Sequence, residues 1–243
     1  MINDLCVPGS ELWKYVDDIT MSECVPKNQD SNIQSATNDL SAQANNERFE
    51  LSIPKCKKIR VGFSKDKPHF PPVKVDGKDI EVVSHAKLLG VTLSADLKWN
   101  THITNLIKKV SSRLYFLKQL KRARIPVADL LLFYVTCIRP VTEYACQVFH
   151  TALPKYLSDD LERLQKRAMR IIFPELSYSE ALDITGLDSL FARREMICAK
   201  LFDEIVNDKE HKLHPLLPTK HESKYNLRHF RQFKPKAGLM HVT

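Results

Sequence analysis

The stretch LWKYVDDITMSECV, residues 12–25, decides how the first part of this chain is read. Residues 12–16 and 19–25 are rich in Tyr, Val, Ile and Thr, which favour a pleated, half-buried surface. Between them stand two adjacent acids, Asp17 and Asp18. The pattern predicts a β-hairpin with the acids at its tip.

Outward from this hairpin the first 95 residues read as mixed α and β. Asp30 or Ser31 is suited to cap a helix running to about residue 48, with Ile33, Ala36, Leu40 and Ala44 on one face. KIRVGF, residues 58–63, reads as a strand, and VKVDGKDIEVV as two strands around Asp76-Gly77. LLGVTL, residues 88–93, reads as another short strand.

Beyond residue 95 the pattern turns helical. Ile103, Leu106, Ile107, Val110, Leu114 and Leu117 recur at helical spacing and predict a helix over about 101–122. Pro126 starts a helix over 127–138 that is apolar nearly all round and so expected to be buried. Pro140 is expected to break or kink it. Further helices are expected over about 155–173 and 187–207, and the tail from His211 reads as irregular. The fold class is therefore α+β, with an expected organisation of 1–95, 96–175, 176–210 and 211–243.

Composition narrows the function classes. The longest apolar run, LLLFYVTCI at 130–138, is too short to span a bilayer, so no membrane partner is expected. The N-terminal residues lack the basic and apolar regions of a signal peptide. The six cysteines (6, 24, 56, 137, 146 and 198) form no CxxC and read as reduced thiols, most of them buried. These features imply an intracellular protein, nuclear or cytoplasmic. Five histidines after residue 210 (211, 214, 221, 229 and 241) fit no zinc spacing and are read as incidental.

Charge is divided along the chain. Residues 1–50 carry a balance of −6 and residues 51–243 a balance of +14, which points to a polyanionic partner for the later part. Residues 97–128 hold eight basic side chains and no acid. Lys108, Lys109, Arg113 and Arg122 belong to this run, with Tyr115 and Phe116 among them. A second stripe, Arg163, Lys166, Arg167 and Arg170, is spaced i, i+3, i+4 and i+7 and lines one helix face. A solvated face is the plain alternative, but such faces usually carry acid partners at i+4. The stripes point to contacts with a nucleic-acid backbone, of duplex or hybrid form, and none predicts base readout.

Paired carboxylates in a tight turn repel each other unless a cation sits beside them. Mg²⁺ suits them, because it takes hard oxygen ligands and is often held by one or two carboxylates plus phosphates. Two such ions serve phosphoryl transfer. The alternative is an ordinary turn, where Asp is favoured anyway.

YVDD, residues 15–18, resembles the YxDD box of reverse transcriptases. The surrounding phrases resemble one branch, the polymerases of non-LTR, LINE-type retrotransposons. INDL at 2–5 resembles the approach to the box, and LSIPKCK at 51–57 the next motif, with Ser52 where an Asn is usual and Lys55 matching the lysine. HAKLLGVTL followed by LKWNTHI resembles the primer grip and the start of the thumb. FYVTCIRPVTEYACQVF and LERLQKRAMRII resemble the thumb and the helices after it, and YNLR at 225–228 a phrase near the C-terminal end.

The resemblance implies the end of a polymerase palm (β-hairpins plus a helix) over 1–95, an all-α thumb over 96–175 and C-terminal helices over 176–210. It implies Asp17 and Asp18 as catalytic ligands of Mg²⁺ and Lys55 as a catalytic lysine beside the incoming dNTP. It implies an RNA template and a DNA primer, or their hybrid duplex, as partners. The family also needs a third carboxylate, fingers and an endonuclease upstream, whereas Asp17 stands close to the start of this sequence. The expectation is a fragment of an RNA-directed DNA polymerase, a nucleotidyltransferase that is inactive alone. The alternatives are a non-enzymatic nucleic-acid-binding protein made from the thumb, and a retroelement remnant without function.

Overall fold

The structure is a computed structural model of the 243-residue chain and describes residues 11–26, 29–63 and 70–218. INDL, YNLR and the histidines at 221, 229 and 241 lie outside the described residues. The chain divides into two compact units, 1–98 and 99–243. The first mixes helix with short strands and the second is helical, so the architecture is α+β.

In the first unit, β1 (Glu11–Tyr15) and β2 (Asp18–Ser22) form the antiparallel hairpin. Helix α1 (Ile33–Asn46) buries Ala36 and Leu40 against Ile19 and Met21 of β2. Its start is held from a distance. Glu23 accepts the Asn32 amide at 2.7 Å and the Ser31 hydroxyl at 2.6 Å, and Ser31 Oγ accepts the Ile33 amide at 3.3 Å. Ser31 thus takes part, while the expected alternative, Asp30, is replaced by a carboxylate at the foot of the hairpin.

The other face of α1 meets a second hairpin, β4 (Lys74–Val75) and β5 (Lys78–Asp79). Gln34 pairs with the Lys74 backbone at 2.8 and 2.9 Å, and Ser41 donates to Asp76 at 2.7 Å. Asp76 and Gly77 both adopt positive φ, as the two central residues of a type I′ turn must. The expected strand over 58–63 contracts to β3 (Lys57–Ile59), which pairs in parallel with β6 (Glu81–Val83). The expected strand over 88–93 is instead the tip of a hairpin, β7 (His85–Leu88) and β8 (Val91–Ser94). Leu89 and Gly90 turn with positive φ, which interrupts the run.

The second unit is built on two long helices, α2 (Asn100–Arg122) and α6 (Lys155–Ile172). They run side by side in the same direction. Asn100 bonds Tyr156 at 2.7 Å near their starts, and Lys121 Nζ donates to the Ile172 carbonyl at 3.0 Å near their ends. Ile103, Leu106, Val110, Leu114 and Leu117 of α2 are buried with Leu157, Leu161, Leu164, Ala168, Met169 and Ile172 of α6. Each such large aliphatic side chain contributes about 1.5–3 kcal/mol when fully buried.

Between them the chain departs from expectation. Helix α3 (Val127–Phe133) widens into a π turn over Tyr134–Ile138 and continues as α4 (Arg139–Glu143). Pro140 therefore does not break the helix. Its ring would collide with the carbonyl one turn back in an α-helix, and the wide turn lies just upstream. The break comes at Ala145, whose φ is positive, before α5 (Cys146–Phe149). Nor is this segment buried all round. Leu130, Tyr134 and Ile138 face the core, whereas Leu132 is exposed. Helix α7 (Tyr178–Thr185), not foreseen above, starts with a Ser177–Glu180 capping box and ends at Gly186 in the left-handed region. Helix α8 (Leu190–Asn207) completes the unit. Among the described cysteines only Cys146 is buried, fewer than expected, and its thiol is pushed up to about 11 chiefly by burial.

His102 is buried against Phe149, with ring centroids 5.0 Å apart, and Trp99 at 6.0 Å. Burial, then the positive Lys109, holds its pKa below the usual histidine value. The unfolded chain therefore binds the extra proton first. Stability is full above about pH 6.5 and falls as pH drops through that value. The urea midpoint is expected to decline between about pH 7 and pH 5, and the decline to be shallower in His102→Phe. Equal slopes for the two proteins would refute this role.

Candidate functional site

The β1–β2 register pairs Tyr15 with Asp18, which leaves Val16 and Asp17 as a two-residue loop. Val16 has positive φ and Asp17 is not among the positive-φ residues, the pattern of a II′ rather than a I′ turn. A β-branched residue is strained there. Asp17 thus lies in the turn and Asp18 opens β2, and both are exposed. Strand alternation puts Trp13, Tyr15, Asp18 and Thr20 on one face. The opposite face carries Ile19 and Met21, packed on α1. The hairpin holds its acids out while its back is anchored.

Carboxylate oxygens are the right donors for Mg²⁺. Among the described residues, however, no group of three or more His, Cys, Asp or Glu side chains is placed to hold a metal. Asp17 and Asp18 alone do not assemble a two-metal centre. Lys55 lies exposed at the end of a 3₁₀ turn, Ile53–Lys55, and forms no hydrogen bond or ion pair with either acid. The lysine near the hairpin's foot is Lys58. Partial burial and then Arg60 lower its pKa, and Glu23 opposes them.

The eight predicted nucleic-acid-binding cations lie in the second unit, and all are exposed. Two of them carry structural bonds. Arg113 donates to the Cys137 carbonyl in the π turn, which ties α2 to that segment. Arg163 pairs with Asp160 one turn earlier, so this end of the α6 stripe has the acid partner that the spacing argument assumed missing. Lys166 lies 5.4 Å over the Tyr178 ring. Lys108, Lys109, Arg122, Arg167 and Arg170 form no ion pair among the described residues. Glu162, the acid immediately before the stripe, turns away from it. Its carboxylate accepts the Tyr178 hydroxyl and the Leu190 and Phe191 amides at 3.3 and 3.0 Å, capping α8.

Behind this face lies a polar core that the sequence reading passed over. Buried Gln165 accepts the Tyr134 hydroxyl at 2.5 Å and donates to Tyr178 at 2.9 Å and to the Asp188 carbonyl at 2.8 Å. Arg194, fully buried, donates through Nε to His150 Nδ1 and through one terminal nitrogen to Ser158, both at 3.3 Å. Its other terminal nitrogen has no hydrogen-bond partner among the described residues. The available signal for Arg194 was its position one turn after Leu190, on the apolar face of α8.

Among the described residues no helix is long and apolar enough to cross a membrane. A family model described as "Alkylated DNA repair protein alkB homolog 8, N-terminal" matches residues 99–139, the span from Trp99 through the π turn. No solved structure matches the chain. Two curated proteins of Drosophila melanogaster do. The "Probable RNA-directed DNA polymerase from transposon X-element" is 23% identical over 165 residues, 65% of this chain and 17% of the relative. The "Probable RNA-directed DNA polymerase from transposon BS" is 28% identical over 107 residues, 43% of this chain and 12% of the relative. The chain thus spans under a fifth of the length of these relatives. The similarity is distant and partial, and it supports a reverse transcriptase-like relationship.

Proposed function

We propose that this chain is the palm end, thumb and following helices of a non-LTR retrotransposon reverse transcriptase. The observation that carries this reading is the YVDD hairpin. It holds Tyr15, Asp17 and Asp18 exposed at one end in a chain distantly similar to transposon RNA-directed DNA polymerases. In this reading residues 1–95 are palm, 96–175 thumb and 176–210 C-terminal helices. Asp17 and Asp18 supply two of the oxygen ligands for Mg²⁺. Lys55 lies beside the dNTP phosphates, and the cations of α2 and α6 hold the template–primer hybrid by its backbone. The metal site is completed by a further carboxylate that the described residues do not provide.

Primer extension on an RNA template with Mg²⁺ tests this. The chain alone is expected to incorporate no dNTP. Adding a polymerase segment that carries the further carboxylate is expected to restore incorporation, with a loss of at least about 10³-fold in Asp17→Ala. Incorporation by the chain alone, abolished by Asp17→Ala, would refute its inactivity. Restored incorporation that Asp17→Ala leaves intact would refute the metal assignment.

A second reading, a nucleic-acid-binding protein without catalysis, is favoured by one observation. The helical unit has its own continuous core and carries all eight candidate cations. Nucleic-acid binding with no extension under any complementation would select it.

A further inference from the structure

We propose that the outer face of α2 is a platform for single-stranded nucleic acid. Tyr115 and Phe116 stack on unpaired bases there, and Lys108, Lys109 and Arg122 meet the flanking phosphates. This deepens the nucleic-acid reading above and rests on it.

Tyr115 and Phe116 are 59% and 57% exposed, with ring centroids 5.9 Å apart at 71°. They are adjacent aromatic side chains on a helix whose apolar stripe is buried on the far side. Lys108, Tyr115 and Arg122 stand at i, i+7 and i+14, so they line up along one edge of the helix. At the rise of an α-helix the two cations are about 21 Å apart, with the ring midway. Lys109 and Phe116 repeat the same spacing on the neighbouring edge. Beside Phe116 an open apolar groove is lined by Gln119, Leu120, Ala123 and Phe133.

The chemistry of the face selects the occupant. Helix α2 contains no acid, and none occurs from 97 to 128. A polyanion is therefore the complementary ligand. Duplex backbone contacts would use the cations and leave both rings in water. An unpaired strand uses both kinds of group, because every base offers a π face to an aromatic ring while its phosphates follow the positive edges. Gln119, between Tyr115 and Arg122 along the helix, adds an amide that can meet a base edge. The outer face of α2 thus takes the unpaired strand that continues from the hybrid, whose backbone the same cations follow.

Fluorescence anisotropy tests this with the full chain, a labelled oligo(dT) of about 12 nucleotides and a labelled duplex of the same length. Tyr115→Ala/Phe116→Ala is expected to weaken oligo(dT) binding by about 10–100-fold and leave duplex affinity and both salt slopes unchanged. Tyr115→Phe/Phe116→Trp should retain wild-type affinity. Lys108→Ala/Arg122→Ala should lower the slope of log K against log salt by about 1.4 for oligo(dT). Far-UV circular dichroism checks that these exposed substitutions keep the fold. If the wild-type chain binds nucleic acid but the double-alanine variant binds oligo(dT) equally well, the platform is wrong and the nucleic-acid reading survives. A change in sedimentation with unchanged oligo(dT) binding would likewise overturn it and mark a protein contact. If the wild-type chain binds neither probe, the nucleic-acid reading itself fails.

Discussion

Arg194→Ala is expected to destabilise the helical unit by about 3–5 kcal/mol, the range for removing one partner from a buried charged network. Arg194 is fully buried. It remains charged, because burial lowers its pKa from a very high starting value while Glu162 nearby raises it. Its Nε supplies a proton to His150 Nδ1, which places the imidazole proton on Nε2, toward Glu195 Oε2 at 3.0 Å. Alanine would leave a void and strand His150, Ser158 and Glu162 without the cation. In a chain of this size the thermal midpoint should fall by roughly 10 °C. Arg194→Met should lose about half as much, since it fills the space and carries no charge that needs partners. Chemical denaturation followed by circular dichroism measures both. Losses below about 1 kcal/mol in the alanine variant would show that the network contributes little.

The second large effect is on binding. Arg167→Glu/Arg170→Glu is expected to weaken nucleic-acid affinity by about 10²–10³-fold near 0.1 M salt. The slope of log K against log salt should become shallower by about 2, since two phosphate contacts are removed. The same reversal at Arg163 should cost less, because Asp160 already neutralises part of its charge. Both side chains are exposed and face away from Leu161, Leu164 and Ala168, so stability should be nearly unchanged. Filter binding across a salt series reads the effect. Affinity indifferent to salt and to the reversal would leave the α6 stripe as a solvated face.

Much of this architecture is legible locally. The first hairpin shows in its period-two strands and the acids between them, and α2 and α6 show in the spacing of their leucines. The Asp76-Gly77 turn announces itself because few residue pairs accept positive φ twice. The departures from this reading are local as well. Leu89-Gly90 split an apolar run into a hairpin. Pro140 was accommodated by the π turn, and the chain broke later, at Ala145. Helix α7 was missed although Ser177 and Glu180 spell its capping box.

The sequence by itself determined the order and type of most elements and the exposure of the two basic stripes. It also determined the pairing of Asp17 and Asp18, because these follow from neighbours within a turn or two. Tertiary structure alone decided which polar groups are buried and what they bond. Gln165 meets Tyr134, 31 positions away, and Arg194 meets His150, 44 positions away. Periodicity assigns a residue to a face. Only packing shows whether that face carries a partner, and a buried polar group without one is costly enough to decide the fold around it.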